Sequence, residues 1–201
     1  MYISSGGKYI KAATLEKNYI KLDALTGEMK DVYEDTQKSY EYSDIDGHWA
    51  QEAATKLAEI QIGLESGSLD GAITQEEFFR LVCSGIINKY YGSYTAEELY
   101  NILIADKILE EGEKKPDAFV TREQAFIYII RLAGLERVAK LENIYKVEYR
   151  DSHLLTKGIV GYSAILSGLN VIEGDGGYLR PKDNLTRAEA IVILYRYLLT
   201  L

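Results

Sequence analysis

The stretch Leu185-Thr186-Arg187-Ala188-Glu189-Ala190-Ile191-Val192-Ile193-Leu194 decides how the rest of the chain is read. A threonine followed three residues later by a glutamate, just before an apolar run, is a capping box. The hydroxyl accepts from the third helical amide, and the acid reaches back to the threonine's own N–H. Two further stretches repeat it: Ile73-Thr74-Gln75-Glu76-Glu77 and Val120-Thr121-Arg122-Glu123-Gln124. The apolar positions that follow superimpose across the three copies. Phe78, Ala125 and Ala190 match, as do Leu81, Tyr128 and Ile193, and Val82, Ile129 and Leu194. That spacing predicts three helices, each with one buried face.

Upstream of each box the pattern predicts a loop, and upstream of the loop another helix. Ser43-Asp44-Ile45-Asp46-Gly47-His48-Trp49 leads into an apolar-periodic run from Ala50 to Ile60, and Arg150-Asp151-Ser152 leads towards Gly158 to Leu166. With a two-residue insertion, Leu57 aligns with Leu166 and Ile62 with Val171. Between them, Thr95-Ala96-Glu97-Glu98 starts a helix through about Asp106, with a loop ending at Phe119. Gly174 to Pro181 carries the glycines and proline of a compact turn. The three caps lie 47 and 65 residues apart. The expected fold is mainly α, with helix-loop-helix repeats over 42–92, 93–147 (including a long linker) and 148–201.

These residues resemble the S-layer homology family. Tyr42-Ser43-Asp44 with Gly47-His48-Trp49-Ala50 is similar to that family's opening motif. Gly176-Gly177-Tyr178-Leu179-Arg180-Pro181, followed by Leu185-Thr186-Arg187-Ala188-Glu189, is similar to its loop and Thr-Arg-Ala-Glu signature. The resemblance implies three tandem repeats around a pseudo-threefold axis. It also implies non-covalent anchoring of a secreted bacterial protein to a secondary cell wall polysaccharide, often an anionic, pyruvylated one.

Chemistry suited to that role falls on a few positions. The box arginines Arg122 and Arg187 follow the cap, where a guanidinium beside open helix amides can grip a carboxylate bidentately. Gln75 holds the same place in the first box, and a neutral amide cannot form the same charge-assisted pair. Trp49 is either a flat surface for a sugar ring or a core anchor between repeats. Asp44 and Asp151 are either acceptors for sugar hydroxyls or helix caps. No repeat carries a complete set, so a groove built between copies would combine Trp49 with an arginine from another repeat.

Composition bounds the alternatives. The 201 residues are 47% apolar and 27% charged, the balance of a globular chain, and carry a net charge of −8. That charge opposes a nucleic-acid binder relying on counterion release, a helix-turn-helix reading included. Cys83, the single cysteine, sits in an apolar run and reads as a core thiol with no disulfide partner. His48 and His153 do not align as metal ligands, and the Glu173–Gly177 stretch lacks the alternating ligands of a calcium loop. The reading is therefore of no cofactor, no metal, no catalytic residues and no membrane insertion. Two other classes stay open. One is a degenerate scaffold for protein contacts, which 17 tyrosines would suit. The other is an appendage of an upstream surface enzyme or peptidase regulator.

Residues 1–35 differ from the rest. Asn18–Asp23 and Glu28–Tyr33 alternate polar and apolar around Ala24-Leu25-Thr26-Gly27, which predicts a β-hairpin, and 36–41 reads as a polar linker. Tyr19 to Glu28 resembles the closing hairpin of the PepSY and YcdB/YcdC-type domains of secreted bacterial proteins, which implies a remnant of an upstream domain. No leader pattern opens the chain, so a signal peptide is expected upstream of it.

Overall fold

A computed structural model describes residues 9–13, 19–23, 29–33, 40–65, 67–86 and 94–201, the first three stretches as backbone. The chain divides into two compact units between Ser39 and Tyr40. In the first, β1 (Tyr9–Ala13), β2 (Tyr19–Asp23) and β3 (Met29–Tyr33) form an antiparallel sheet in the order β1-β2-β3. Ile20 pairs with Val32, and the register shifts between Lys21 and Leu22. The sheet has one strand, β1, beyond the expected hairpin. The expected turn at 24–27 and residues 36–39 of the expected linker lie outside the described residues.

The second unit is mainly α. Its helices are α1 (Gln51–Glu59), α2 (Gln75–Ile86), α3 (Ala96–Ala105), α4 (Arg122–Leu132), the short α5 (Glu136–Ala139), α6 (Val160–Gly168) and α7 (Arg187–Leu198). α2, α4 and α7 start at the three boxes. Thr74 N–H donates to Glu77 Oε2 (3.0 Å), Thr121 N–H to Gln124 Oε1 (2.8 Å) and Thr186 N–H to Glu189 Oε2 (2.9 Å). The threonine hydroxyls accept the reciprocal amides of Glu77, Gln124 and Glu189. Thr95 caps α3 with a fourth box through Glu98. Thr121→Ala should cost about 1 kcal/mol of unfolding free energy, read by urea titration; a change within error would mean that the cap of α4 is redundant.

All nine superimposed apolar positions are buried, as is Cys83, whose thiol burial pushes up to about 12. Helix stops repeat as well. After α1, α3 and α6 the chain turns through Gln61, Lys107 and Asn170, each with positive φ. Ile62 N–H reaches back to Leu57 O, Ile108 N–H to Leu103 O and Val171 N–H to Leu166 O, each at 2.9 Å. These are three Schellman turns, with a buried leucine and a buried aliphatic residue closing each one.

The three box regions interlock. Ile73 N–H donates to Leu185 O (3.0 Å), Leu185 N–H to Val120 O (2.7 Å) and Val120 N–H to Ile73 O (3.1 Å), a closed ring of backbone hydrogen bonds. Helices are exchanged around it: α1 packs on α7, α6 packs on α4, and α3 meets α2 through the edge-on contact of Tyr100 with Phe79. One continuous apolar core results.

Candidate functional site

The helix starts are not open to ligand in the way the sequence suggests. Gln75 N–H donates to Ala118 O and Glu76 N–H to Pro116 O; Arg122 N–H donates to Asp183 O and Glu123 N–H to Pro181 O. At the third box Arg187 N–H donates to Gly71 O and Ala188 N–H to Leu69 O. The third amide of each helix goes to the cap threonine. The first-turn amides are therefore occupied by a neighbouring loop, and the expectation of free amides beside the arginine is corrected. Anion affinity at these places must come from side chains alone.

The residues after the caps are also tied inward. Arg122 donates from Nε to Leu179 O (2.7 Å) and from Nη1 to Glu189 Oε1, and its side chain is 11% exposed. Arg187 donates from Nη2 to Glu77 Oε1 and is 18% exposed. In both, the arginine of one box meets the capping glutamate of another. Gln75, at the same place in the first box, is bonded differently. Its amide donates to Glu113 O (2.8 Å) and the Tyr128 hydroxyl (3.2 Å), and its oxygen accepts from Lys115 N–H (2.7 Å) and the Tyr100 hydroxyl (3.1 Å). An arginine has no acceptor and would strand the last two donors. Gln75 is thus a buried connector rather than an eroded arginine.

The two aspartates brace loops. Asp44 accepts from Leu69 N–H (2.9 Å) and Ser68 Oγ (2.6 Å), which hold its carboxyl below the usual range, the amide contributing most. Asp151 is buried and accepts from Leu179 N–H (2.8 Å) and Arg180 N–H (2.7 Å). Neither caps a helix with its side chain. Ahead of α1, His48 braces the turn: its Nδ1 accepts from Ala50 N–H (3.1 Å) while Nε2 meets Asp70 Oδ1 (3.2 Å).

Trp49 is 61% exposed, so the core-anchor reading does not hold. Its ring stands 5.5 Å from that of His48, and it lines one side of a groove of about 430 Å³. Arg122 lies in the same groove, which α7 walls with Glu189, Val192, Ile193 and Arg196. The loop after α6 supplies Ile172, Glu173, Asp175, Tyr178 and Arg180. That loop is shaped by Gly176 and Gly177, both with positive φ, across which Asp175 and Tyr178 exchange backbone hydrogen bonds at 3.0 Å. Two consecutive positive-φ residues make the tight turn that suits a two-residue hairpin. Arg150 stacks 5.5 Å over the Tyr178 ring and fixes it at the rim. Two aromatic rings and three guanidiniums therefore share one cleft, drawn from the start of α1, the start of α4 and the α6–α7 segment. Of the six sequence candidates, Trp49 and Arg122 meet here; Arg187, Gln75, Asp44 and Asp151 do not line it.

Residues 164–191 match the S-layer homology domain. The matched segment carries most of the α6–α7 side of the groove. No curated protein matches the chain. The S-layer homology match ties the chain to cell-wall anchoring in general, to cell wall polymers as the class of partner and to the cell surface as the place. Among the described residues no helix is long and apolar enough to cross a membrane, and no group of three or more metal-capable side chains stands together.

Proposed function

We propose that the chain is a non-catalytic module that anchors a secreted bacterial protein to the cell wall by binding a secondary cell wall polysaccharide carrying anionic, pyruvylated sugars. The observation that carries this reading is the groove. Trp49 offers an apolar face to a pyranose ring, and Arg122, Arg180 and Arg196 offer donors to its acid and hydroxyl groups. On this reading 42–201 forms three S-layer homology repeats around a pseudo-threefold axis. The ring joining Ile73, Val120 and Leu185 and the exchanged helices support that arrangement. The working groove on this reading is the one at Arg122, which lines it, whereas Gln75 and Arg187 do not: position 75 sits in a buried polar knot and Arg187 lies against the loop through Gly67.

The test is co-sedimentation with purified cell wall sacculi before and after stripping of the non-peptidoglycan polymer. Binding should vanish on stripping. Trp49→Ala should weaken it about tenfold with an unchanged unfolding temperature, since the ring is exposed. Binding that survives stripping would move the partner to peptidoglycan or protein. A Trp49→Ala variant that binds as well as the parent would remove the groove from the proposal.

A further inference from the structure

The groove is electrically self-satisfied. Arg122 pairs with Glu189, Arg180 Nη2 with Asp175 Oδ2 (2.6 Å) and Arg196 Nη2 with Glu173 Oε2 (2.9 Å), so three guanidiniums face three carboxylates. The first pair is fixed, because Glu189 is also the capping acid of α7. The other two differ. Their carboxylates, 78% exposed at Asp175 and 64% at Glu173, are each more open to water than the arginine they hold. Both belong to one short loop segment, two residues apart, just before the Gly176-Gly177 turn.

We infer that Glu173 and Asp175 are resident stand-ins for the ligand's acid groups and restrict the groove to a polymer segment that presents at least two carboxylates. This rests on the groove being the polysaccharide site. A single acid arriving at Arg180 or Arg196 exchanges one exposed ion pair for another and gains little, because exposed pairs are weak in water. It also stays next to the carboxylate it displaced, and like charges in proximity disfavour the complex. A segment with two acids occupies both arginines and turns out both stand-ins, whose exposed side chains swing into water while the turn keeps its backbone bonds. The second contact is then intramolecular, with the gain that tethering brings. Selectivity thus comes from carboxylates of the protein itself, which set a threshold in ligand charge.

Trp49 is the single tryptophan of the chain and lies in the groove, so its fluorescence reads occupancy directly. The probes are galacturonate, with one acid, and oligogalacturonate, with several, titrated into the parent and into Glu173→Gln/Asp175→Asn. Both substitutions are at exposed side chains and should leave the unfolding temperature unchanged. The parent should respond to oligogalacturonate and barely to galacturonate. The double variant should gain response to galacturonate by about tenfold, a gain that Arg180→Ala and Arg196→Ala added together should abolish. A double variant that binds galacturonate no better than the parent, or that responds to neither probe, overturns the inference. Sacculus binding by the same proteins separates the two claims. A parent that passes the fluorescence test but does not sediment refutes the polysaccharide reading alone. A parent that sediments, with a double variant that gains nothing, refutes the stand-ins alone.

Discussion

Arg187→Ala should lower the unfolding free energy by about 2 kcal/mol in a urea titration, because it removes the partly buried guanidinium from Glu77 Oε1 and leaves that carboxylate only its cap donors from Thr74. The loop that covers it gives the prediction a sharper form. Gly67 has φ +128, a conformation side chains rarely adopt, and a Cβ there would fall on Arg187 Nη1. Gly67→Ala should therefore be costly by itself, through backbone strain and through displacement of the guanidinium. In the Arg187→Ala background only the strain remains. The two substitutions should be clearly less than additive, the mark of residues in direct contact. Strict additivity would mean that the close pass of loop over arginine contributes nothing.

Asp151→Ala should cost about 3 kcal/mol, since two backbone donors lose a charged acceptor and one of them, Leu179 N–H, is buried. The loss should also reach the groove. Leu179 gives its N–H to Asp151 and its carbonyl to Arg122 Nε, so one residue links the buried carboxylate to the groove arginine. Weakened sacculus binding should therefore accompany the loss of stability, unlike Trp49→Ala, which should separate them. The pH dependence carries a sign. Burial acts to raise the Asp151 carboxyl, but the amides of Leu179 and Arg180 outweigh it and hold it below the ordinary value of about 4. A depressed folded-state value means stability that is present above the unfolded pKa and lost as pH falls through the folded one. The stability difference between the parent and Asp151→Asn should be flat at neutral pH and shrink below about pH 4. A difference that grew on acidification would contradict the assigned donors.

The helix starts were legible because a capping box is local: Thr, three residues and a Glu or Gln satisfy each other whatever lies around them. The helix stops carry an equally regular but fainter signal. Gln61, Lys107 and Asn170 stand where glycine is the usual marker, and only the aliphatic pairs on either side, such as Leu103 with Ile108, betray the turn. That pair is the counterpart of Leu57 with Ile62 and of Leu166 with Val171. What local reading could not supply was anything that crosses between repeats. The carbonyls of Pro116, Pro181 and Leu69 that fill the first-turn amides come from loops that sequence order places elsewhere. The same holds for the meeting of Trp49 with Arg122, and for the backbone of Glu113 and Lys115 that holds Gln75. Exposure of Trp49 was undecidable for another reason. A tryptophan at a helix start suits a core seam and an open cleft equally, and nothing local to Trp49 separates the two.

The ring that runs from Ile73 to Leu185 to Val120 and back has a mechanical meaning for a tether. An open stack of repeats can be peeled from its end one unit at a time, each step needing little force. Here the last box is bonded to both of the others and α1 is seated on α7, so pulling on either side loads all three boxes at once. A ring closed in this way has no free end, so a pull that parts one bonded pair of boxes must part a second as well.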